Sequence, residues 1–294
     1  MQTRKIMPGF KIHHCRLPIE NLKSKIVNST FVLLAFGLGS SACFALDLMG
    51  PPASGVKQGQ FHIGADYSYS QMDLELKDGL WIEYLDGLFN DAGNAVSFTL
   101  KDFQSSRVYA NLGYGIADNW DVFLCLGGTD AQFGDSIWQD QEEFDSGAQM
   151  AIGGGVKATF YEEGNLRLGA LLQASWAEFD GDLKAPHWTA ADSVEMDITE
   201  IQIAVGATCR LTDQVSIYGG PFFHLVDGEL DDQLSEWTED GLLTSQYCWS
   251  VQEDSTLGAY VGAQVELAEN CSVNIECQLT SAAEAVGVGL LWRF

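Results

Sequence analysis

The chain ends on Glu284-Ala-Val-Gly-Val-Gly-Leu-Leu-Trp-Arg-Phe294. Large apolar side chains occupy every second position from Val286 to Phe294, and glycine or arginine stands between most of them. Successive side chains of a β-strand point to opposite faces, so this alternation predicts a strand with one apolar face. The other face of the predicted strand is polar or carries no side chain at all.

Nine further segments alternate in the same way. In the first, aromatic and aliphatic side chains at odd positions from Phe61 to Tyr69 alternate with His62, Gly64, Asp66 and Ser68. Alternation over four or more residues is typical of strands that have one apolar face. The ten predicted strands cover approximately residues 61–69, 107–116, 120–126, 148–160, 166–176, 201–211, 215–225, 257–267, 271–279 and 284–294.

The connections between these strands alternate between short and long. Tight polar turns follow the second, fourth, sixth and eighth strands, at 117–119, 161–165, 212–214 and 268–270. Long acidic links follow the first, third, fifth and seventh strands, at 71–105, 128–146, 178–197 and 227–255, whereas the ninth link, near Ser281, is short.

Membrane barrels have short turns on one side, long loops on the other and an even number of strands. We therefore predict an all-β fold over residues 59–294, a ten-stranded antiparallel up-and-down transmembrane β-barrel with short periplasmic turns and long acidic external loops. Residues 46–58 are expected to be a periplasmic N-terminal lead-in.

A soluble lipocalin-like barrel also alternates, but it turns its apolar face inward around a ligand. The aromatic residues argue against that alternative, because they cluster at the ends of the apolar stripes, as the interface girdles of membrane barrels do. The predicted membrane-interface aromatics are Phe61, Tyr69, Trp120, Phe160, Trp176, Trp292 and Phe294.

The N-terminus has the pattern of a secretory signal. Basic residues precede the apolar stretch Phe31–Leu38, and small residues follow it up to Ala45. The apolar stretch is too short to span a bilayer as a stable helix, so we predict that residues 1–45 are a signal peptide cleaved after Ala45. Lipidation of Cys43 is the alternative.

Removing this leader makes the chain strongly acidic. Six of the 15 basic residues and one of the 41 acidic residues lie in it, which leaves 9 basic and 40 acidic residues and a net charge of −31. Such a surface repels nucleic acid, which we exclude as a partner. No run of 18 apolar residues predicts a transmembrane helix.

Several charged residues fall on the non-apolar face of the predicted strands and should point into the barrel. Buried charges are tolerated only as pairs, so we expect ion pairs there. Ten strands enclose little space, which favours a filled lumen over an open pore. The predicted lumen charge network consists of Arg107, Lys157, Arg167, Arg210, Arg293, Asp66, Glu266 and Glu276.

The long links carry many carboxylates, whose oxygens are the ligands that Ca²⁺ and Mg²⁺ prefer. None of the links has the spacing of a defined metal loop, so divalent cations are possible partners of the acidic loops, without a fixed metal site or a cofactor. His224 with Asp227, and His187 in the third link, are candidates for a general base at the outer rim.

The chain resembles the small bacterial outer-membrane β-barrel proteins of the opacity-type and porin-like group. The resemblance covers 59–294 and rests on the signal peptide, on the strand–turn–strand Leu112-Gly-Tyr-Gly-Ile-Ala-Asp-Asn-Trp-Asp-Val122 and on the terminal Trp292-Arg-Phe294. It implies a location in the outer membrane, contact with its lipid, and recognition of the last strand by the barrel-insertion machinery. It assigns no catalytic residues.

Three functions fit this pattern. The first is a non-enzymatic barrel that presents acidic extracellular loops for surface binding, adhesion or envelope integrity. The second is a narrow porin-like passive channel, and the third is a hydrolase with its site at the rim.

Overall fold

The computed structural model describes residues 46–134, 143–184, 191–253 and 256–294. These residues form thirteen β-strands, and no helix among them is long and apolar enough to cross a membrane. The strands are β1 (Phe61–Leu85), β2 (Leu88–Asn94), β3 (Phe98–Ala117), β4 (Trp120–Gly134), β5 (Glu143–Asp145), β6 (Gln149–Glu163), β7 (Leu166–Lys184), β8 (Ala191–Arg210), β9 (Val215–Thr238), β10 (Gly241–Glu253), β11 (Leu257–Ala268), β12 (Cys271–Leu279) and β13 (Ala283–Arg293).

Ten of these strands pair side by side in a closed antiparallel ring, which confirms the predicted architecture. The order around the ring is β1, β3, β4, β6, β7, β8, β9, β11, β12 and β13. The first and last strands close it, with Ile63 opposite Trp292 and Tyr67 opposite Val288. The C-terminal strand therefore completes the barrel.

The three remaining strands lie beyond the outer ends of the ring strands. β2 folds back on β1, β5 bridges β4 and β7, and β10 pairs with both β9 and β1. β10 passes over the short β11–β13 group, from Leu74 on β1 to Asp227 on β9. The short link near Ser281, which broke the alternation of the loops, is thus covered by a strand from the preceding long link.

The predicted irregular loops were partly wrong, because the ring strands continue well beyond the expected membrane boundary. β1 runs to Leu85 instead of Tyr69, and β9 runs to Thr238 instead of Leu225. Residues 135–142, 185–190 and 254–255 of the long links lie outside the described residues.

Both faces of the strands change polarity at one level. On β1 the inward side chains change from Ser68 and Ser70 to Met72 and Leu74, while the outward ones change from Tyr69 to Gln71 and then to acidic and basic residues. The same change separates Glu200 from Ile198 on β8. Below this level the barrel has an apolar exterior and a polar interior, as a membrane barrel requires; above it the arrangement is reversed.

The upper interior is a packed apolar core. Phe103 and Phe179 meet edge to face with ring centroids 6.0 Å apart, and Phe133 stacks on Phe144 at 4.6 Å. Met196 packs in the same cluster and, like Phe103 and Phe179, is completely buried. The outer half of the tube is therefore closed by its own side chains.

Candidate functional site

The interior of the membrane half holds the segment that precedes β1. Residues 46–60 run along the lumen, and Leu46, Met49, Ala53 and Val56 are each at most 4% exposed. We call residues 46–60 the N-terminal plug. The expected periplasmic lead-in at 46–58 was wrong, since these residues lie inside the ring of strands; the sequence carried too little regular pattern to show this.

The plug rises from the periplasmic end of the barrel. At that end the amide of Gly59 donates to the carbonyl of Gly115 at 2.9 Å. Further in, the amide of Ser54 donates to Thr159 Oγ1 at 2.9 Å. Both the Ser54 hydroxyl and the Gly55 amide donate to Asp121 Oδ2, at 3.0 and 2.5 Å. The bond to Thr159 satisfies the buried backbone amide of Ser54.

The upper part of the plug contacts side chains from several strands. Lys157 Nζ donates to the carbonyl of Met49 at 2.6 Å, and the Met49 amide donates to Glu276 Oε1 at 3.0 Å. Gln278 Nε2 donates to the carbonyl of Asp47 at 2.8 Å. The plug is thus held by β6 and β12 from opposite parts of the ring.

Inward glycines leave the space that the plug occupies. A Cβ atom at Gly169 would lie 2.5 Å from the Cα of Ala53 and 2.6 Å from the carbonyl oxygen of Pro52. A Cβ atom at Gly115 would overlap the carbonyl of Lys57. Glycine allows this close backbone approach because it has no side chain.

A chain of buried charged groups crosses the lumen at the level where polarity changes. Arg107 Nη1 contacts Asp47 Oδ1 at 3.0 Å, and Nη2 of the same side chain contacts Glu200. Glu200 Oε2 lies 3.2 Å from His224 Nε2, and His224 Nδ1 faces Glu253 on β10. Four of these five side chains, those of Arg107, Glu200, His224 and Glu253, are at most 3% exposed. We call these five residues the charge chain.

The other predicted lumen residues have separate partners. Arg167 donates to the carbonyl of Ser54 in the plug. Arg293 forms a two-point ion pair with Glu266, at 3.0 and 3.1 Å. Asp66 accepts from Asn111, Glu276 accepts from the plug, and Arg210 is exposed at the periplasmic end of β8. The eight residues therefore do not form one network, and most of the charged groups that face the plug contact it directly.

Sequence reasoning missed the plug, Glu200 and Glu253, and placed His224 at the rim. Glu200 and His224 do have the inward parity of their strands, which is the signal that could have identified them. His224 is fully buried, whereas Asp227 is exposed on the opposite face of β9. The two residues therefore form no catalytic pair, and His187 lies outside the described residues.

The predicted interface aromatics lie on the outward face. Exposed fractions range from 37% for Trp176 to 62% for Phe294, and Tyr69 is half-buried. Its hydroxyl donates to Gln104 at 2.6 Å. Their positions near the ends of the outward apolar stripes are those that the sequence predicted, and contact with lipid headgroups stays a prediction.

Above the apolar band, β7, β8 and β9 carry acidic side chains in two cross-strand rows. The register places Glu178 opposite Asp197 and Asp197 opposite Glu229; two residues further out, Asp180 is opposite Glu195 and Glu195 opposite Asp231. We call these six residues the acidic wall. Desolvation, together with the neighbouring carboxylates of Glu178, Asp180 and Asp197, raises the pKa of Glu195. Among the described residues no group of three or more His, Cys, Asp or Glu has metal-site geometry.

Comparison with known proteins agrees with this architecture. The family model for the outer membrane protein beta-barrel domain matches residues 95–294. Similar solved structures include the outer membrane protein OprG from Pseudomonas aeruginosa, with 12% identity, TM-score 0.46, and coverage of 82% of this chain and 98% of that one.

The outer membrane protease OmpT from Escherichia coli has 14% identity and a TM-score of 0.43, and the match covers 85% of this chain and 99% of that one. Ail, the attachment invasion locus protein of Yersinia pestis, has 14% identity and a TM-score of 0.25, with 81% and 99% covered. A search of curated proteins found no match.

Proposed function

The chain belongs to the outer membrane protein β-barrel domain family and lies in the bacterial outer membrane, and from this premise we propose that it is a closed, non-enzymatic surface barrel. Its role is to present the acidic wall for binding outside the membrane. The observation that carries this proposal is that the lumen is filled at both levels, by the plug in the membrane half and by the apolar core above it. A filled lumen leaves the outer surface as the part available to a partner.

Repulsion between the carboxylates of the acidic wall favours the binding of a cationic partner. Like charges directly opposite each other in a sheet are unfavourable, and the wall sets three carboxylates side by side in each row. A cationic partner or divalent cations would relieve this repulsion. In this proposal the partner binds carboxylates that are held at fixed spacing on β7, β8 and β9 instead of on irregular loops.

Binding of a polylysine peptide to the protein in nanodiscs of neutral lipid would test this role. Neutralising the six residues of the acidic wall as Asn or Gln should weaken binding by at least tenfold, with a shallower dependence on salt. The control neutralises five carboxylates at the periplasmic turns, one fewer than in the wall: Asp118, Glu162, Glu163, Asp213 and Glu269. If both variants lose affinity equally, the wall has no special role.

The channel and hydrolase alternatives receive less support. A pore needs a continuous polar path, and Phe103, Phe179 and Met196 fill the upper lumen. A hydrolase needs a base that reaches substrate, and His224 is fully buried. Peptidase activity that survives purification and is abolished by H224A would contradict the non-enzymatic role.

A further inference from the structure

The charge chain joins the plug to an extracellular strand at the outer end of the membrane half. Asp47 belongs to the plug, which enters from the periplasmic end, and Glu253 is the last residue of β10, which lies beyond the outer ends of β11, β12 and β13. Between them Arg107, Glu200 and His224 come from β3, β8 and β9.

Each member of the chain depends on the next. His224 has a carboxylate at each ring nitrogen, and only the imidazolium form can donate from both nitrogens. Glu200 then shares its charge between His224 and Arg107. Because an imidazolium at His224 also compensates Glu200, Arg107 does not have to balance Glu200 alone and can pair with Asp47, whose backbone carbonyl makes its other bonds to the barrel.

We propose that the charge chain is a latch through which the extracellular strand β10 holds the N-terminal plug in the lumen. If Glu253 loses its charge, His224 no longer needs to be an imidazolium, and Arg107 alone must balance both Asp47 and Glu200. The bond to the plug then weakens, although the change is made at the other end of the chain. This coupling is independent of what binds to the acidic wall.

Hydrogen–deuterium exchange of the full mature protein tests the latch. The readout is the peptide that contains the Met49, Ser54 and Gly55 amides, which are bonded to lumen side chains. We expect E253Q to speed its exchange by about tenfold or more, because it removes one partner of a buried ion pair. D47N should have the same effect, and D47N/E253Q should be no faster than the faster single variant.

The control is E266Q, the same substitution in the Arg293–Glu266 pair, in which Arg293 donates to Glu266 and Ser272 instead of to the plug. It should leave the exchange of the plug unchanged. Plug exchange at the wild-type rate in E253Q, multiplicative effects in the double variant, or equal acceleration in β11 and β12 would each overturn the latch. If E253Q does not fold, H224Q tests the same link, because it removes the charge and keeps a hydrogen-bonding group.

Discussion

At the residue scale, the stability of the barrel depends strongly on Arg107. It is buried, and both Asp47 and Glu200 depend on it for compensation. Removing one partner of a buried ion pair typically costs about 3–5 kcal/mol. We expect R107M to lower the free energy of unfolding in urea by this amount, and the exposed R210M, as a control, to change it little. Equal stability of the two variants would contradict the role of Arg107.

Gly169 tests the fit between barrel and plug. A methyl group there would meet the backbone of Ala53, which cannot move without shifting the plug. We expect G169A to keep the barrel folded, as judged by its resistance to unfolding in cold detergent, while the plug becomes accessible to protease. G134A is the control, because its added Cβ would have no neighbour within 4 Å. Protection of the plug in G169A would show that the segment lies elsewhere.

At the element scale, the acidic rows of β7, β8 and β9 should cost stability. The raised pKa of Glu195 means that the folded state disfavours its charged form. Its destabilising contribution is therefore complete above that pKa and disappears as the pH falls below the ordinary value of a glutamate. We expect E195Q to raise the unfolding midpoint at neutral pH, with a gain that shrinks on acidification. A lower midpoint in E195Q would mean that the row is already compensated.

The alternation of apolar and polar residues predicted the strands within the membrane but not their extensions beyond it. It predicted all ten membrane-crossing strands and the four tight turns, because lipid imposes one apolar face on each strand. It stopped at Tyr69 and Leu225 because the apolar side chains change face there. Met72, Leu74 and Leu76 continue the period of two, but at even positions, whereas the apolar residues up to Tyr69 stand at odd positions. The extension of β1 can therefore be predicted only if the apolar residues are allowed to move from the outward to the inward face.

At the scale of the whole molecule, the sequence predicted a filled lumen but not what fills it. The inward charges are visible from parity, yet their partners come from the plug, which has no periodic pattern, and from strands far apart in sequence. Asp47 and Glu200, which share Arg107, lie 60 and 93 residues from it along the sequence. Such contacts depend on closure of the ring, and no local pattern encodes them.

Single-channel recording in a planar bilayer tests the closed barrel most directly. The refolded wild-type protein should give no steps, and neither should a variant that lacks residues 46–58, because the apolar core still closes the outer half. Steps should appear only when this deletion is combined with F103A and F179A. Steady steps in the wild-type protein, suppressed by substitution of Arg107 or Arg167, would contradict the account.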